Sequence, residues 1–192
     1  MSIQTHNLID IATVKTFLTF RDQAPTYSDN GNAFGITTKD LVSNWAEFDN
    51  LATIEINESM TQKDLQTGDI LMPSRGDYYP ARLFKKKNIP SFPIGQINVI
   101  TLQKEIVPGY LAWYLNRPEI QNLIFQSLNG TTIKSLNKSR LNSLPISVPD
   151  HNTQIDIVRV QEIYVEKAKI RLELNMLEKK EIDYFCNCLI TK

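Results

Sequence analysis

Gly130-Thr131-Thr132-Ile133-Lys134-Ser135-Leu136 leads to Leu144-Pro145-Ile146-Ser147-Val148-Pro149, and a long segment without Gly or Pro follows from Asn152. The first stretch predicts a small polar loop that carries a lysine. The second predicts a short strand bracketed by prolines, and the uninterrupted segment predicts one long helix. This order predicts a compact domain over residues 1–150, followed by a helix over residues 151–192.

The remaining patterns predict an irregular α+β domain. Apolar alternation or short apolar runs predict strands at 34–38, 52–56, 67–73 and 96–102, and helical spacing predicts helices at 109–116 and 118–128. Residues 22–35 predict a loop, Lys39 begins a turn, Gly130 ends the second helix and Ser135 caps a further short helix. Strands and helices do not alternate regularly, so the pattern favours a mixed α/β domain over a parallel βαβ fold.

The C-terminal segment has apolar residues at intervals of seven, which predicts a helix that packs along its length. One column is apolar throughout and contains Ile163, Ile170, Leu177 and Tyr184. A second column contains Val160 and Leu174, but charged residues interrupt it. A single helix of roughly 57 Å cannot bury this surface alone. We therefore expect these six residues to contact the domain, a second protomer or another partner.

The net charge is zero, but it is unevenly distributed along the chain. Residues 60–140 contain 11 Lys or Arg and 5 Asp or Glu, whereas residues 1–59 contain 3 and 8. A basic middle third indicates a local phosphate-facing surface or, equally, lysines that only solvate the protein. No apolar run is long enough to cross a membrane and the N-terminus lacks a signal peptide, so we expect a cytoplasmic protein.

The basic third contains cations, aromatic rings and small donors, which are the groups that contact nucleic-acid bases and phosphates. The predicted contacts are Ser74, Arg75, Tyr78, Tyr79, Arg82, Lys85, Lys86, Lys87, Thr131, Thr132, Lys134 and Lys138. Each group also has a structural alternative. The tyrosines would pack in the core or at its rim, the lysine run would be a solvated loop, and Gly130 would only end a helix.

The sequence offers no catalytic site. It contains neither a P-loop nor the cofactor loop of an adenine methyltransferase. Asp150 and the segment 178–180 superficially resemble a nuclease signature, but on one helix they would lie roughly 40 Å apart. Cys186, Cys188 and two distant histidines do not suit a zinc site. We therefore expect no catalytic residue, no metal and no cofactor.

Several stretches carry a resemblance to one known family. They are Phe34-Gly35-Ile36-Thr37-Thr38-Lys39-Asp40-Leu41, Leu65-Gln66-Thr67-Gly68-Asp69-Ile70-Leu71, the segments 130–136 and 141–149, and Asn152-Thr153-Gln154-Ile155. In this order and spacing they resemble the target recognition domain and the conserved helix of type I restriction-modification specificity subunits. Gln154 matches the family's Glu-Gln pair at the start of that helix, but Thr153 replaces the Glu.

The resemblance implies a subunit that binds double-stranded DNA and has no catalysis of its own. In that family the subunit positions a methyltransferase subunit and, through it, a restriction subunit. A full-length member has two recognition domains joined by two long helices, and this chain has one of each. The resemblance therefore implies a half-size form that reads half of a bipartite target, pairs with a second copy or another half-subunit, and has no membrane partner.

A function of a different class is also compatible with these residues. The chain would then be a non-catalytic interaction protein, such as a decoy or an assembly inhibitor of a restriction complex. Such a protein would keep this fold and bind the methyltransferase subunit. It would add no DNA specificity, and this property separates it from a specificity subunit.

Overall fold

The computed structural model describes residues 4–17, 26–42, 51–56, 64–85, 88–103, 106–128 and 134–190. These residues form a mixture of short strands and helices followed by one long C-terminal helix, which confirms the predicted α+β class. The chain divides into two compact units, Met1–Gln154 and Ile155–Lys192.

The strands are β1 (Gln4–Asn7), β2 (Ala12–Phe17), β3 (Thr26–Tyr27), β4 (Ala33–Thr37), β5 (Ala52–Glu55), β6 (Ile70–Pro73), β7 (Arg82–Leu83), β8 (Ser91–Ile94), β9 (Ile97–Leu102) and β10 (Pro145–Val148). The α-helices are α1 (Thr38–Val42), α2 (Pro108–Leu115), α3 (Pro118–Leu128), α4 (Lys138–Asn142) and α5 (His151–Ile190). A 3₁₀ turn at Leu8–Asp10 joins β1 to β2.

The described strands form three sheets in the first unit. One four-stranded sheet has the order β2-β9-β6-β7 and is antiparallel. The other has the order β3-β5-β4-β8, and within it β4 and β8 are parallel. A separate antiparallel pair joins β1 to β10, so the first described strand pairs with the strand that precedes α5.

One buried cluster contains side chains from both four-stranded sheets. Ile36 of β4 belongs to the same buried cluster as Leu71 of β6 and Val99 of β9. Leu41 of α1 and the fully buried Phe84 complete one side of this cluster. Burial of each such side chain contributes about 1.5–3 kcal/mol, so the cluster holds the two sheets together as one domain.

The segment before β9 differs from the sequence prediction because it contains an additional strand. The chain forms β8 and then β9, and Gly95 between them has a φ of 92°. A positive φ is accessible to glycine at little cost, so the chain turns sharply at this residue. Pro93 lies within β8, which is an edge strand, and proline is tolerated there because an edge strand has free hydrogen-bonding positions.

A predicted turn and a predicted helix cap also differ from the structure. The turn predicted at Lys39 is the short helix α1, since the Thr37 N–H donates to Asp40 Oδ2 (2.7 Å) and the Asp40 N–H lies 3.4 Å from Thr37 Oγ1. This reciprocal capping box stabilises a first helical turn. Ser135 does not cap α4; Asn137 does, because its Oδ1 accepts a hydrogen bond from the Arg140 N–H (3.0 Å).

The start of α5 is fixed by two polar side chains. Asp150 accepts hydrogen bonds from the Thr153 N–H (3.0 Å) and hydroxyl (2.7 Å), and these bonds lower the pKa of its carboxyl group. Gln154 is buried; it accepts from the Val107 N–H (2.9 Å) and donates to the Pro149 carbonyl (2.9 Å). Thr153 is therefore the capping partner of Asp150 at the start of α5.

Candidate nucleic-acid interface

Two segments that lie far apart in the sequence pair with each other in the structure. The loop after β6 begins at Ser74, whose carbonyl accepts a hydrogen bond from the Leu136 N–H (2.9 Å). Arg75 and Ser135 form an isolated antiparallel β-bridge. The segment from Lys134 to Leu136 therefore lies alongside the loop that carries Arg75 and Tyr78, and Lys138 follows two residues later at the start of α4.

The buried side-chain amide of Asn98, on the central strand β9, fixes this pairing. Asn98 is fully buried, and its Nδ2 donates to the Leu136 carbonyl (2.8 Å). Its Oδ1 accepts a hydrogen bond from the Thr16 hydroxyl (2.7 Å). Buried polar groups without partners are costly, so this amide specifies where residue 136 crosses the sheet.

Replacing Asn98 with alanine is expected to lower the free energy of unfolding by about 2–3 kcal/mol. The substitution removes two hydrogen bonds and leaves the Leu136 carbonyl without its side-chain donor. Urea denaturation of the variant and the parent protein measures this difference. Thr16→Ala, which removes only one of the two bonds, is the matched control and should cost clearly less. Equal stability of Asn98→Ala and parent would contradict this role.

The junction between α2 and α3 holds the other end of the loop. The Asn116 side chain accepts a hydrogen bond from the Ala81 N–H (2.9 Å) and donates one to the Ala81 carbonyl (2.8 Å). Gln121 Nε2 donates to the Tyr79 carbonyl (3.0 Å). The sequence pattern did not identify these two amides, because a polar residue at a helix junction does not indicate a contact with a loop 35 residues away.

The two paired segments present an exposed set of polar and aromatic groups. We call Arg75, Asp77, Tyr78, Lys134 and Lys138 the loop surface, and all five side chains belong to exposed residues. Lys134 Nζ forms an ion pair with Asp77 Oδ1 at 3.0 Å. The surface thus combines three cations with an exposed aromatic ring, and these groups suit phosphates and base edges.

Ser74 and Tyr79 were predicted as nucleic-acid contacts, and the structure places both inside the domain. Ser74 is buried, and its N–H donates to the Gln96 carbonyl (2.8 Å). Tyr79 is fully buried, its hydroxyl donates to the Lys134 carbonyl (3.2 Å), and burial raises the pKa of its phenol. This placement corresponds to the structural alternative for Tyr79, and in this conformation neither side chain can contact DNA.

The other predicted cations lie apart from the loop surface or outside the described residues. Arg82 is half-buried, its Nε donates to the Leu41 carbonyl (2.8 Å), and burial lowers the pKa of its guanidinium. Lys85 is exposed and follows Phe84, whose carbonyl accepts from the Gly68 N–H (3.1 Å). Lys85 therefore lies at the opposite end of β6 from Ser74. Lys86, Lys87, Thr131 and Thr132, and also Gly130, lie outside the described residues.

The Gly68-Asp69 pair, which carried part of the family resemblance, has a structural role. Gly68 has a φ of 98°, which favours glycine. The buried Asp69 accepts hydrogen bonds from the Gln66 N–H (2.8 Å) and from the Thr101 hydroxyl (2.7 Å). The pair forms a tight turn directly before β6, and the Asp69–Thr101 hydrogen bond connects this turn to β9. The Gly68-Asp69 pair therefore helps to position the loop surface but is not part of that surface.

An aromatic group on α2 faces the strand that leads to α5. The Tyr110 hydroxyl donates to the Ser147 carbonyl, and burial together with the neighbouring Tyr114 raises the pKa of Tyr110 to about 12. The guanidinium of Arg117 lies over the rings of Trp113 (5.6 Å) and Tyr114 (5.4 Å). These side chains bind one another and β10, which indicates a packing role within the first unit.

Within the described ranges, no three His, Cys, Asp or Glu side chains come together in a way that could hold a metal ion. Cys186 and Cys188 do not form a disulfide. Among the described residues, no helix combines the length and the hydrophobicity needed to cross a bilayer.

The second unit exposes the apolar residues that the sequence pattern selected. Ile163, Ile170, Leu177 and Tyr184, which we call the apolar column, are all exposed, as are Val160 and Leu174. Further apolar side chains, including Val165, Leu172 and Met176, are exposed on another side of α5. Exposure of this much apolar surface on one helix is typical of a surface that a partner covers.

Comparisons with known proteins agree with this fold. The family model described as type I restriction modification DNA specificity domain matches residues 2–179. The crystal structure of the HsdS subunit from Thermoanaerobacter tengcongensis is similar, with a TM-score of 0.60 and 16% identity over 86% of this chain. The S subunit of a type-I restriction-modification system from M. genitalium has a TM-score of 0.57 and 16% identity over 88% of this chain. No curated protein sequence matches the chain significantly.

The description of a third similar structure reads "Structural basis underlying complex assembly and conformational transition of the type I R-M system". Its TM-score is 0.55, with 18% identity over 88% of this chain. At these identities the likeness concerns the fold alone. This chain spans 38% of the length of the first matched chain and 40% of the length of each of the other two.

Proposed function

The chain belongs to the family of type I restriction modification DNA specificity domains, and on this premise we propose that it reads one half of a bipartite DNA target. The observation that carries the proposal is the pairing of two distant segments into the loop surface, which exposes cations and an aromatic ring at a fixed position. Phosphate contacts from Lys134 and Lys138 would position the protein, and Arg75 and Tyr78 would contact base edges.

The long helix supports the second part of the proposal, which concerns assembly. The apolar column is exposed along α5, and two such helices would bury it against each other or against a helix of another subunit. We propose that the chain pairs through this column with a second copy or with another recognition half. Pairing of two copies by two-fold symmetry predicts an interrupted palindrome as the DNA target.

The proposed complex includes a methyltransferase subunit and, through it, a restriction subunit. Catalysis would belong to those subunits, and this chain would supply only the position on DNA. The family membership supports this division of roles, because the matched domain is described by its DNA specificity. Two of the three similar structures are described as an HsdS subunit and an S subunit, and the description of the third refers to complex assembly of the type I R-M system.

A titration of the assembled complex against duplex DNA tests this function. The full chain is combined with its cognate methyltransferase subunit and added to a library of random double-stranded DNA at fixed salt concentration. Selection of one interrupted sequence is the expected result, with an affinity at least about 10³-fold above that for random duplex. A complex that forms but has no sequence preference would contradict the proposal, and it would favour an assembly inhibitor.

A further inference from the structure

The loop surface contains one acidic side chain, Asp77, which a simple phosphate-binding surface would lack. Asp77 Oδ1 is 3.0 Å from Lys134 Nζ, and the side chains of Asp77 and Lys134 are 91% and 57% exposed. Two residues of opposite charge that belong to two different segments thus meet on the surface that we propose for DNA. In this state the carboxylate neutralises the lysine and would repel a nearby phosphate.

The fold does not depend on this ion pair. The Lys134 carbonyl is held by the Tyr79 hydroxyl (3.2 Å), and the adjoining residues are held by the Arg75–Ser135 bridge. Exposed ion pairs contribute little to stability, because water screens both charges. The pair can therefore open while the backbone on both sides stays in place, so its charges are available for a function other than folding.

The ammonium group of Lys134 and the carboxylate of Asp77 bind different parts of a DNA duplex. An ammonium group binds phosphate oxygens, which are present at every step of any sequence. An ionised carboxylate only accepts hydrogen bonds, and in the major groove its preferred donor is the N4 amine of cytosine. A duplex that satisfies both groups at once therefore presents a phosphate and, as the preferred partner of the carboxylate, a correctly placed cytosine.

We propose that the Asp77–Lys134 ion pair lets the protein discriminate target DNA from other sequences, an inference that rests on the proposed function. On other sequences the pair stays closed, so Lys134 adds no phosphate contact and Asp77 opposes close approach. On the target the pair opens, Lys134 binds a backbone phosphate, and Asp77 accepts a hydrogen bond from a cytosine N4 amine. Asp77 is thus a specificity-determining residue that the basic pattern of the sequence did not reveal.

Asp77→Asn tests the proposal in the full chain bound to its methyltransferase subunit. The substitution keeps the side-chain shape, removes the charge and releases Lys134. We expect several-fold tighter binding of random duplex, with a salt dependence that is steeper by about 0.9 in log–log slope, because one phosphate contact is gained. The ratio of target affinity to random affinity should fall by at least about tenfold, because random binding tightens and the asparagine amide accepts only a weaker, uncharged hydrogen bond from the cytosine amine.

Lys134→Gln should give the complementary result. Binding of the target should weaken and its salt slope should become shallower by about 0.9. Binding of random duplex should keep its slope, because Lys134 makes no phosphate contact there. Equal weakening of target and random binding by Lys134→Gln would overturn the inference.

Base substitutions in the target locate the contact. The wild-type complex should discriminate against replacement of one particular cytosine, and Asp77→Asn should weaken that discrimination while it keeps discrimination at the other positions. Asp156→Asn is the control, because it removes the same charge from an exposed ion pair with Arg159 (3.6 Å) on α5. It should leave the affinity ratio unchanged.

An unchanged ratio in Asp77→Asn, in a wild-type complex that does prefer one sequence, would overturn the role of the ion pair and leave the proposed function standing. Failure of the proposed function has a different signature, because the wild-type complex itself would then show no sequence preference.

Discussion

Replacement of both Ile170 and Leu177 with aspartate is expected to abolish pairing of the long helix. Both side chains belong to the apolar column and are exposed in the single chain. In a symmetric pair the double substitution removes four apolar side chains from the interface. At about 1.5 kcal/mol for each, the loss is about 6 kcal/mol, or roughly 10⁴-fold in the dissociation constant. Sedimentation equilibrium of the chain, alone and with its methyltransferase subunit, measures this loss.

The helix offers a closely matched control for this experiment. Ala168 and Asn175 are also seven residues apart, and at 100° per residue they lie about 140–160° around α5 from Ile170. Ala168→Asp with Asn175→Asp adds the same two charges to the same helix on a different side, and pairing should persist. The proposed use of the apolar column would be contradicted if the Ile170→Asp, Leu177→Asp chain still paired with a second copy and with the methyltransferase subunit.

Arg75→Ala is expected to lower the affinity for the target by roughly 5- to 150-fold. Arg75 is exposed, its backbone is fixed by the bridge to Ser135, and a guanidinium that binds a guanine with two hydrogen bonds is worth about 1–3 kcal/mol. Equilibrium titration of the assembled complex with labelled target duplex measures the change. Binding of random duplex should fall much less, because only the base contact depends on sequence.

Two substitutions distinguish base reading by Arg75 from a phosphate contact. Arg75→Lys keeps the charge but cannot form two parallel hydrogen bonds to guanine, so it should lose most of the specificity. Arg159→Ala removes an exposed arginine of α5 and should leave the specificity unchanged. A loss of target and random affinity by the same factor in Arg75→Ala would assign Arg75 to the phosphates instead.

Local patterns in the sequence predicted the elements whose formation depends on neighbouring residues. Helix α3 has the predicted bounds, because Pro118 suits a first helical turn and the apolar spacing continues to Leu128. The long helix begins at His151, near the predicted boundary, and its apolar column is exposed as a partner surface would be. Helix α1 was predicted only as a turn, although Thr37 and Asp40 have the sequence spacing of a capping box, which indicates the start of a helix.

Interactions between segments that are distant in the sequence could not be predicted from such local patterns. The pairing of β1 with β10 and the parallel pairing of β4 with β8 depend on the whole domain. Tyr79 follows the exposed Tyr78 directly, and its contacts with the distant residues Phe125 and Lys134 place it in the core. Composition indicated a basic surface, but the meeting of Asp77 and Lys134 is a product of the fold.

The most direct test of the account is a map of methylated bases in a host genome, recorded with and without this chain while the methyltransferase subunit is present. We expect methylation of one interrupted sequence, which disappears when the chain is removed and changes when Arg75 is replaced. Methylation of the same sites in the absence of the chain would contradict the claim that this protein selects the DNA target.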